Sequence, residues 1–279
     1  MTPSRRQFLA LAAVTTGAAA LPGAAGAAPK SRLIDDRWTR HGGGGDPDHS
    51  AWGGILAKHL RTGTQSGVAL FDYAGAQGDR SSLQRYLEAM QAVEPTTLSS
   101  GAAFAYWVNL YNAVTIDLVL GAYPVDSIRE VNGGLFNTGP WTDDVVRVGG
   151  QDLSLDDIEH GILRPVWRDP RIHYAVNCAS IGCPDLAAKP FTSGALEAML
   201  EAGARAYVAH PRGATVTGSG IVASSIYDWF EEDFGGNEAG IIAHLKAYAP
   251  KAKAAEIGNA SGIDDFRYDW SLNDAGAAG

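Results

Sequence analysis

A long apolar segment lies at residues 100–120, SGAAFAYWVNLYNAVTIDLVL, and Gly121 follows it. Its apolar residues cover one side of a helix at Phe104, Trp107, Val108, Tyr111, Val114 and Leu118, and much of the other side at Ile116, Val119 and Leu120. A helix that is apolar almost all round packs in the middle of a domain. The segment therefore predicts a central buried helix from about Ser100 to Leu120, ended by Gly121.

Shorter helices and hairpins are predicted on both sides of this segment. Ser81-Ser82 begins a helix that Pro95 ends, and Ser154 with Asp157 resembles a capping box opening a helix that stops near Pro165. The remaining predictions are a Gly-rich loop at Gly133-Gly134, a hairpin at 145–151, a buried strand at 171–178, helices at 193–208, 226–234 and 238–248, a hairpin of 214–217 with 221–223, and a half-buried strand at 266–272. Because these elements show no strict βαβ repetition, we predict one α+β domain, with the central buried helix packed against a small sheet and hairpins.

The first residues are typical of an export signal. Arg5-Arg6 precedes an uncharged Ala-rich run, and Ala25-Gly26-Ala27 supplies an A-x-A cleavage site. The apolar run is shorter than the roughly 20 residues that a membrane span needs. The paired arginines favour the twin-arginine type of signal. We therefore predict a signal peptide at residues 1–27, export by the Tat translocase, and a periplasmic or secreted mature protein without a stable membrane span.

The remainder of the chain divides into a leader and a domain. Residues 28–50 are polar and contain Gly42–Gly45, which predicts a flexible leader, and residues 51–275 are predicted to form the single domain. Without residues 1–27 the chain has 20 basic and 31 acidic residues, a net charge of −11. An acidic surface of this size repels phosphate backbones and anionic lipid headgroups, which argues against nucleic-acid binding and a role at the membrane surface.

The densest group of reactive side chains lies at residues 171–184, RIHYAVNCASIGCP. On a regular strand His173 and Asn177 point to one side and Cys178 points to the other. Cys178 and His173 can therefore pair only if the chain bulges or the strand ends before Cys178. His160 is the alternative catalytic base, because a cysteine nucleophile needs an imidazole within hydrogen-bond reach.

Both cysteines of the chain lie in this segment, at positions 178 and 183. In an oxidising compartment they could form a small disulfide. Alternatively, Cys178 is a nucleophile at the end of a strand, or both are inert buried thiols. A redox role is a weaker option because the Cys-x4-Cys spacing differs from that of redox dithiols. No metal site is predicted, since zinc would need two further ligands from distant segments, and no cofactor is indicated.

Polar side chains on two helices could complete a site. Asp156 and Arg164 each share a helical face with His160. These charged residues could form a solvated face of a surface helix. Alternatively, Glu159 or His160 turns inward and orients His173. Asn109 and Asn112 lie one turn apart on the central helix, where buried amides either bond the backbone or donate to an oxyanion. The side chains predicted to contact a substrate are Asn177, Ser180, Arg164 and Trp107.

Several of these motifs occur together in a known family. They are FAYWVNLYNA at 104–113, IEH at 158–160, HYAVNCAS at 173–180, GCP at 182–184 and SIYDWFEEDF at 225–234. In these motifs the chain resembles domain-of-unknown-function family 547 from about Leu83 to Phe234. The resemblance implies no agreed reaction and no cofactor.

The residues support two functional hypotheses. The first is a thiol-dependent hydrolase or transferase acting on an amide or ester bond of a small-molecule or peptide-like substrate. Its nucleophile is Cys178, its base is His173 or His160, Glu159 orients the base, and Asn109 or Asn112 donates to the oxyanion. The second is a non-catalytic periplasmic binding or scaffold protein with a structural Cys178–Cys183 disulfide.

Overall fold

The computed structural model describes residues 29–132 and 138–278. The predicted signal peptide and the Gly133-Gly134 loop lie outside these residues. The α-helices are α1 Ser50–His59, α2 Tyr73–Ala76, α3 Arg80–Gln91, α4 Ser100–Ala122, α5 Arg164–Trp167, α6 Leu196–Ala209, α7 Ser225–Trp229, α8 Glu238–Tyr248 and α9 Lys251–Asn259. The strands are β1 Leu60–Arg61, β2 Leu70–Phe71, β3 Val146–Val148, β4 Gln151–Leu153, β5 Ala214–Thr217, β6 Gly220–Ser224 and β7 Ile263–Arg267.

The predicted central helix is α4. The Ser99 hydroxyl accepts a hydrogen bond from the Ala102 N–H and caps its first turn, and every residue from Ala102 to Ile116 is buried. Among the described helices, α4 is long and apolar enough to cross a membrane, but 89% of its most apolar window is buried inside the fold. It is therefore the core helix of this domain. The predicted α+β class with a central helix is confirmed.

The buried apolar residues form two clusters. The larger one surrounds α4 and includes side chains of α1 and α3. The smaller one lies between α6, α8 and the sheet β5-β6-β7. In that sheet β6 pairs antiparallel with β5 and parallel with β7, whereas β1-β2 and β3-β4 are separate antiparallel pairs. The predicted hairpins at 145–151 and 214–223 are both present.

The segment predicted to be a flexible leader, residues 28–50, packs against the domain in the part that the structure describes. Trp38 is only 2% exposed, and its ring meets the Trp107 ring edge-on at 5.1 Å between centroids. Gly42 donates its N–H to the Leu98 carbonyl, and a Cβ at position 42 would lie 2.3 Å from the Thr97 oxygen. The glycines therefore permit close backbone approach here, and one tryptophan supplies enough apolar area to anchor the segment.

The buried strand predicted at residues 171–178 is also absent. Pro170–Tyr174 forms a 3-10 helix, capped by the Asp169 side chain on the Arg171 N–H. The irregular chain beyond it bonds to a side chain instead of a strand, because Asn112 donates to the Ala175 carbonyl and accepts from the Asn177 N–H. An amide side chain has the same donor and acceptor as a peptide group, so it replaces a β-partner.

The helix predicted after Ser154 begins as expected and ends differently. Ser154 and Asp157 exchange hydrogen bonds, with the Asp157 N–H donating to the Ser154 hydroxyl and the Ser154 N–H donating to the Asp157 carboxylate. The chain then forms a π-helical segment, Asp157–Leu163, that continues into α5. Pro165 therefore does not stop the helix. It has no N–H, so it cannot donate to the carbonyl one turn earlier, which would be that of His160 in a π-helix or that of Gly161 in an α-helix.

Candidate functional site

The two cysteines lie at the ends of one tight turn, residues 178–183, called here the cysteine turn. Asn177 shapes its start, because its side chain accepts from the Ala179 N–H and donates to the Pro184 carbonyl. Ala179 has a φ of 61°, in the left-handed region that non-glycine residues rarely adopt. Backbone hydrogen bonds join the turn to the C-terminal segment, from Ile181 to Ser271 and from Gly182 to Asp269.

The sulfur atoms contact each other and two hydroxyl groups. The Cys178 Sγ lies 2.7 Å from the Cys183 Sγ, 3.2 Å from the Ser180 Oγ and 3.0 Å from the Tyr268 hydroxyl. The Cys178 N–H donates to the Cys183 Sγ at 3.0 Å. Both cysteines are free, Cys178 partly exposed and Cys183 buried. Among the described residues, no imidazole contacts either sulfur.

The two thiols differ in acidity. Burial, together with the neighbouring Cys183, raises the pKa of Cys178 well above its usual value. Burial also raises the pKa of Cys183, but hydrogen bonds from the side chains of Cys178 and Tyr268 and from the Cys178 N–H outweigh it, so the net pKa is lowered. Within this pair, the thiolate is therefore favoured at Cys183 and the proton at Cys178.

His173 is held between two carboxylates and does not reach the cysteine turn. Its Nε2 lies 2.7 Å from the Asp233 Oδ2, and its Nδ1 lies 3.4 Å from the Glu159 Oε1. The Phe230 ring stacks on it at 4.3 Å between centroids. Burial lowers the pKa of His173, but the hydrogen bonds to Asp233 and Glu159 outweigh it and raise the pKa overall. Both ring nitrogens are thus occupied, so a His173–Cys178 pair is not formed.

The alternative base, His160, lies in the same charged cluster as His173. The Arg164 Nη1 approaches its Nδ1 at 3.1 Å, and Asp156 lies 3.6 Å from its Nε2. Burial lowers the pKa of His160 to about 4, with contributions from the charges of Arg164 and His173. The orienting role predicted for Glu159 fits its contact with His173, but the imidazole it orients faces Asp233.

Buried Arg164 ties this cluster together. Its guanidinium bonds the Asp233 Oδ2 at 2.6 Å and the Glu232 Oε1 at 2.7 Å, and it donates to the Pro29 carbonyl at 2.8 Å. Burial would raise the pKa of Asp233, but the hydrogen bonds from His173 and Arg164 lower it overall. These partners, like His160, are protein groups, so the predicted contact between Arg164 and a substrate has no support here.

Residues 29–34, called here the N-terminal strap, cover the charged cluster. The Arg32 N–H donates to the His160 carbonyl at 2.9 Å, and the Ile34 N–H donates to the Gly161 carbonyl at 3.1 Å. These are the two carbonyls that an N–H at position 165 could reach in a π- or an α-helix, and Pro165 has no N–H. The strap therefore completes the hydrogen bonding of the π-helical segment.

The remaining predicted site residues have structural contacts. Asn109 forms a pair of hydrogen bonds with the backbone of Phe191, and both polar ends of the Asn112 side chain are bonded to the backbone. Their amides are not free to donate to an oxyanion. Trp107, predicted to contact a substrate, is buried in the larger core. Ser180 does lie at the sulfur atoms, and Asn177 shapes the turn.

Sequence reasoning missed Tyr268, Asp233 and Phe230. Tyr268 was visible only as one of several alternating aromatic residues near the C-terminus. Asp233 and Phe230 belong to the motif at 225–234, but no spacing rule connects that motif to His173. Surface hollows of about 630 and 350 Å³ lie elsewhere, one lined by residues including Tyr86 and Met90 and the other by residues including Arg37 and Glu94.

Comparison with known proteins gives one result. Residues 95–208 match the model of a family described as "Protein of unknown function, DUF547". No curated protein and no solved structure gives a significant match. The match supports the resemblance seen in the sequence over this segment. Asp233 and Tyr268 lie outside the matched residues. The part of the chain that carries the central helix and both cysteines is therefore similar to this family, whose description names no activity.

Proposed function

We propose that this chain is an exported, non-catalytic binding or scaffold protein whose cysteine turn is closed by a Cys178–Cys183 disulfide. The observation that carries the proposal is the 2.7 Å contact between the Sγ atoms of the two cysteines. A twin-arginine signal would deliver the folded domain to an oxidising compartment, where neighbouring thiols are converted to disulfides. Each thiol loses one electron and one proton, and an oxidant of the disulfide class accepts the two electrons and two protons.

The commitments of the other polar groups favour this function over hydrolysis. The two amides expected to stabilise an oxyanion bond the backbone, and His173 bonds two carboxylates. A cysteine nucleophile needs a base in contact with it, and none of the described imidazoles is in contact. The charged cluster therefore serves to hold α5, the strap and the segment around Asp233 together.

The surface beside the cysteine turn supports a binding role. Tyr268, whose hydroxyl contacts the Cys178 sulfur, packs against Trp229 and Trp270 at 4.8 and 4.7 Å between ring centroids. All three rings are partly exposed. Clusters of partly exposed aromatic side chains are common in binding surfaces, because each ring offers a large rigid contact area with a polar edge. We propose this surface for a small-molecule or peptide-like ligand.

Chemical unfolding of the mature protein with and without a reductant tests the disulfide. A bridge closing a loop this short stabilises a fold by about 2 kcal/mol in the chain-entropy model. We expect dithiothreitol to lower the free energy of unfolding of the oxidised wild type by about this amount. It should leave the matched Cys178→Ser/Cys183→Ser double variant unchanged. Equal stability of the wild type in both conditions would contradict the proposal.

The second candidate is the thiol-dependent hydrolase or transferase, and one observation favours it. The Cys178 sulfur is partly exposed and lies beside the Ser180 and Tyr268 hydroxyls. These hydroxyls, and not His173, would have to carry its proton. Cleavage of a panel of amides, esters and thioesters by the reduced wild type, lost in Cys178→Ser, would favour this candidate. No turnover by the reduced protein would exclude it for that panel.

A further inference from the structure

We propose that the Cys178–Cys183 disulfide is a site of thiol–disulfide exchange with a dithiol reductant, in which the incoming thiolate attacks the Sγ of Cys178 and Cys183 is the leaving group. The inference rests on the proposed function, because it requires that the two cysteines form a disulfide. It also assigns different roles to the two sulfur atoms, since Cys178 receives the nucleophile and Cys183 is released.

Exposure determines which sulfur can be attacked. Cys178 is partly exposed, whereas Cys183 is 5% exposed and lies beneath it in the turn. A thiolate must approach the sulfur it attacks from solvent, so access restricts exchange to Cys178. Ser180 beside the two sulfur atoms is also buried, so solvent does not reach the Cys183 sulfur past its side chain.

Hydrogen bonding determines which sulfur leaves more easily. The Cys178 N–H points at the Cys183 Sγ at 3.0 Å, so a thiolate formed there meets a donor already in place. A backbone N–H stabilises an anion without any rearrangement of side chains. The lowered pKa of Cys183, against the raised pKa of Cys178, agrees with this direction, because a more acidic thiol leaves faster.

The dithiol reduces the protein disulfide in two steps, through a mixed disulfide. The first thiolate of the reductant forms a bond to the Cys178 sulfur, the bond between the two cysteines breaks, and its electron pair goes to Cys183. The second thiol of the reductant then loses its proton and attacks the reductant sulfur in this mixed disulfide. Cys178 leaves as a thiolate and takes up a proton, for which the Tyr268 hydroxyl at 3.0 Å is the neighbouring relay. Two electrons pass to the protein and the reductant becomes a disulfide. The proton that the first reductant thiol lost on forming its thiolate went to solvent, and the Cys183 thiolate regains a proton from solvent when it is protonated.

Mapping the mixed disulfide on the wild type tests the proposal without a cysteine variant. The oxidised mature protein is treated briefly with glutathione, a monothiol that stops at the first step, quenched in acid and digested for mass spectrometry. We expect glutathione on Cys178 at about tenfold or more over Cys183, with Cys183 recovered as a free thiol. Equal labelling, or glutathione mainly on Cys183, would overturn the direction of exchange.

Two further outcomes separate this inference from the proposed function. A disulfide that forms but resists both glutathione and dithiothreitol in the folded state leaves the structural bridge intact and overturns the exchange site. Cysteines that stay alkylatable after treatment with oxidised glutathione overturn both.

A pair of tyrosine variants tests the hydroxyl group. Tyr268→Phe removes the hydroxyl beside the sulfurs and should slow reduction by dithiothreitol by about threefold or more. Tyr207→Phe removes a buried hydroxyl that bonds the Gly182 carbonyl of the same turn. This matched control should leave the rate near that of the wild type, and equal slowing in both variants would assign the effect to the packing of the turn.

Discussion

At the scale of single residues, Asp233 connects the buried charges. Its Oδ2 accepts from both the Arg164 Nε and the His173 Nε2. Burying an ion pair contributes little net stability, but removing one partner is costly because the other charge remains buried without compensation. The stability of this cluster therefore depends on the carboxylate more than on any apolar neighbour.

Asp233→Asn should therefore lower the free energy of unfolding by about 3 kcal/mol. The amide cannot balance the charge of Arg164 or hold the proton on His173. Urea denaturation followed by tryptophan fluorescence measures the change. Asp228→Asn, an exposed carboxylate in the same motif, should change stability by less than about 1 kcal/mol. Similar effects of the two substitutions would contradict the role given to Asp233.

His160 should make the fold sensitive to acid. Its folded pKa of about 4 lies below the unfolded value, so the unfolded chain binds more protons between pH 6.5 and 4. The contribution of neutral His160 to the free energy of unfolding is fully present above the unfolded pKa, and it is lost as the pH falls towards the folded pKa. Relative to His160→Gln, the wild type should lose up to about 3 kcal/mol between pH 7 and pH 4.

The difference between these two proteins isolates His160 from its neighbour Asp156. Burial and the nearby Glu159 charge raise the pKa of Asp156 to about 6, so its contribution is lost as the pH rises towards 6, in the opposite sense. Both proteins retain Asp156. Denaturation curves at several pH values should diverge only on the acid side, and parallel pH profiles would show that His160 does not titrate as described.

At the scale of secondary structure, local rules predicted the helices better than the segment around the cysteines. The cap at Ser154 and the all-round apolar pattern of α4 were predicted from sequence, because both depend on neighbours within one helix. The segment 171–178 looked like a strand because its residues are apolar, but burial alone does not distinguish a strand from an irregular segment. Its partner is the Asn112 side chain, which lies 65 residues away in sequence from Asn177.

The π-helical segment and the N-terminal strap should be sensitive to one methyl group. A Cβ at position 161 would lie 2.7 Å from the Ile34 Cγ2, so Gly161→Ala should displace the strap and cost about 1–3 kcal/mol. Gly54→Ala in α1 meets no atom within 4 Å and should stabilise the fold slightly, by up to about 1 kcal/mol. Limited proteolysis should cut near residues 29–34 only in the first variant. Equal protection in both would contradict the close packing.

The segment before α1 was predicted to be flexible because its composition is polar, and composition does not reveal a single anchoring side chain. Trp38→Ala should test that anchor by lowering the free energy of unfolding by about 3–5 kcal/mol, since it leaves a cavity beside Trp107. Thermal and urea unfolding both measure it. Arg40→Ala, at an exposed position two residues away, is the matched control and should change stability by less than about 0.5 kcal/mol. A small effect of Trp38→Ala would mean that the leader is dispensable.

At the scale of the whole molecule, the cysteine turn links the two apolar clusters. The Tyr207 hydroxyl of the smaller cluster bonds the Gly182 carbonyl, and Ala179 belongs to the larger cluster. The fold class and the central helix followed from sequence. Strand parity had set His173 and Cys178 apart on a strand that is absent, and their actual partners, Asp233 and Tyr268, did not follow from sequence because they reach the site from distant parts of the chain.

The pairing of the two cysteines is tested most directly on protein recovered from the compartment to which we propose that it is exported. The sample is alkylated at once under denaturing conditions, before and after reduction, and its intact mass is measured. The disulfide account predicts no alkyl group on either cysteine before reduction and one on each afterwards. Alkylation of both cysteines without prior reduction would contradict it.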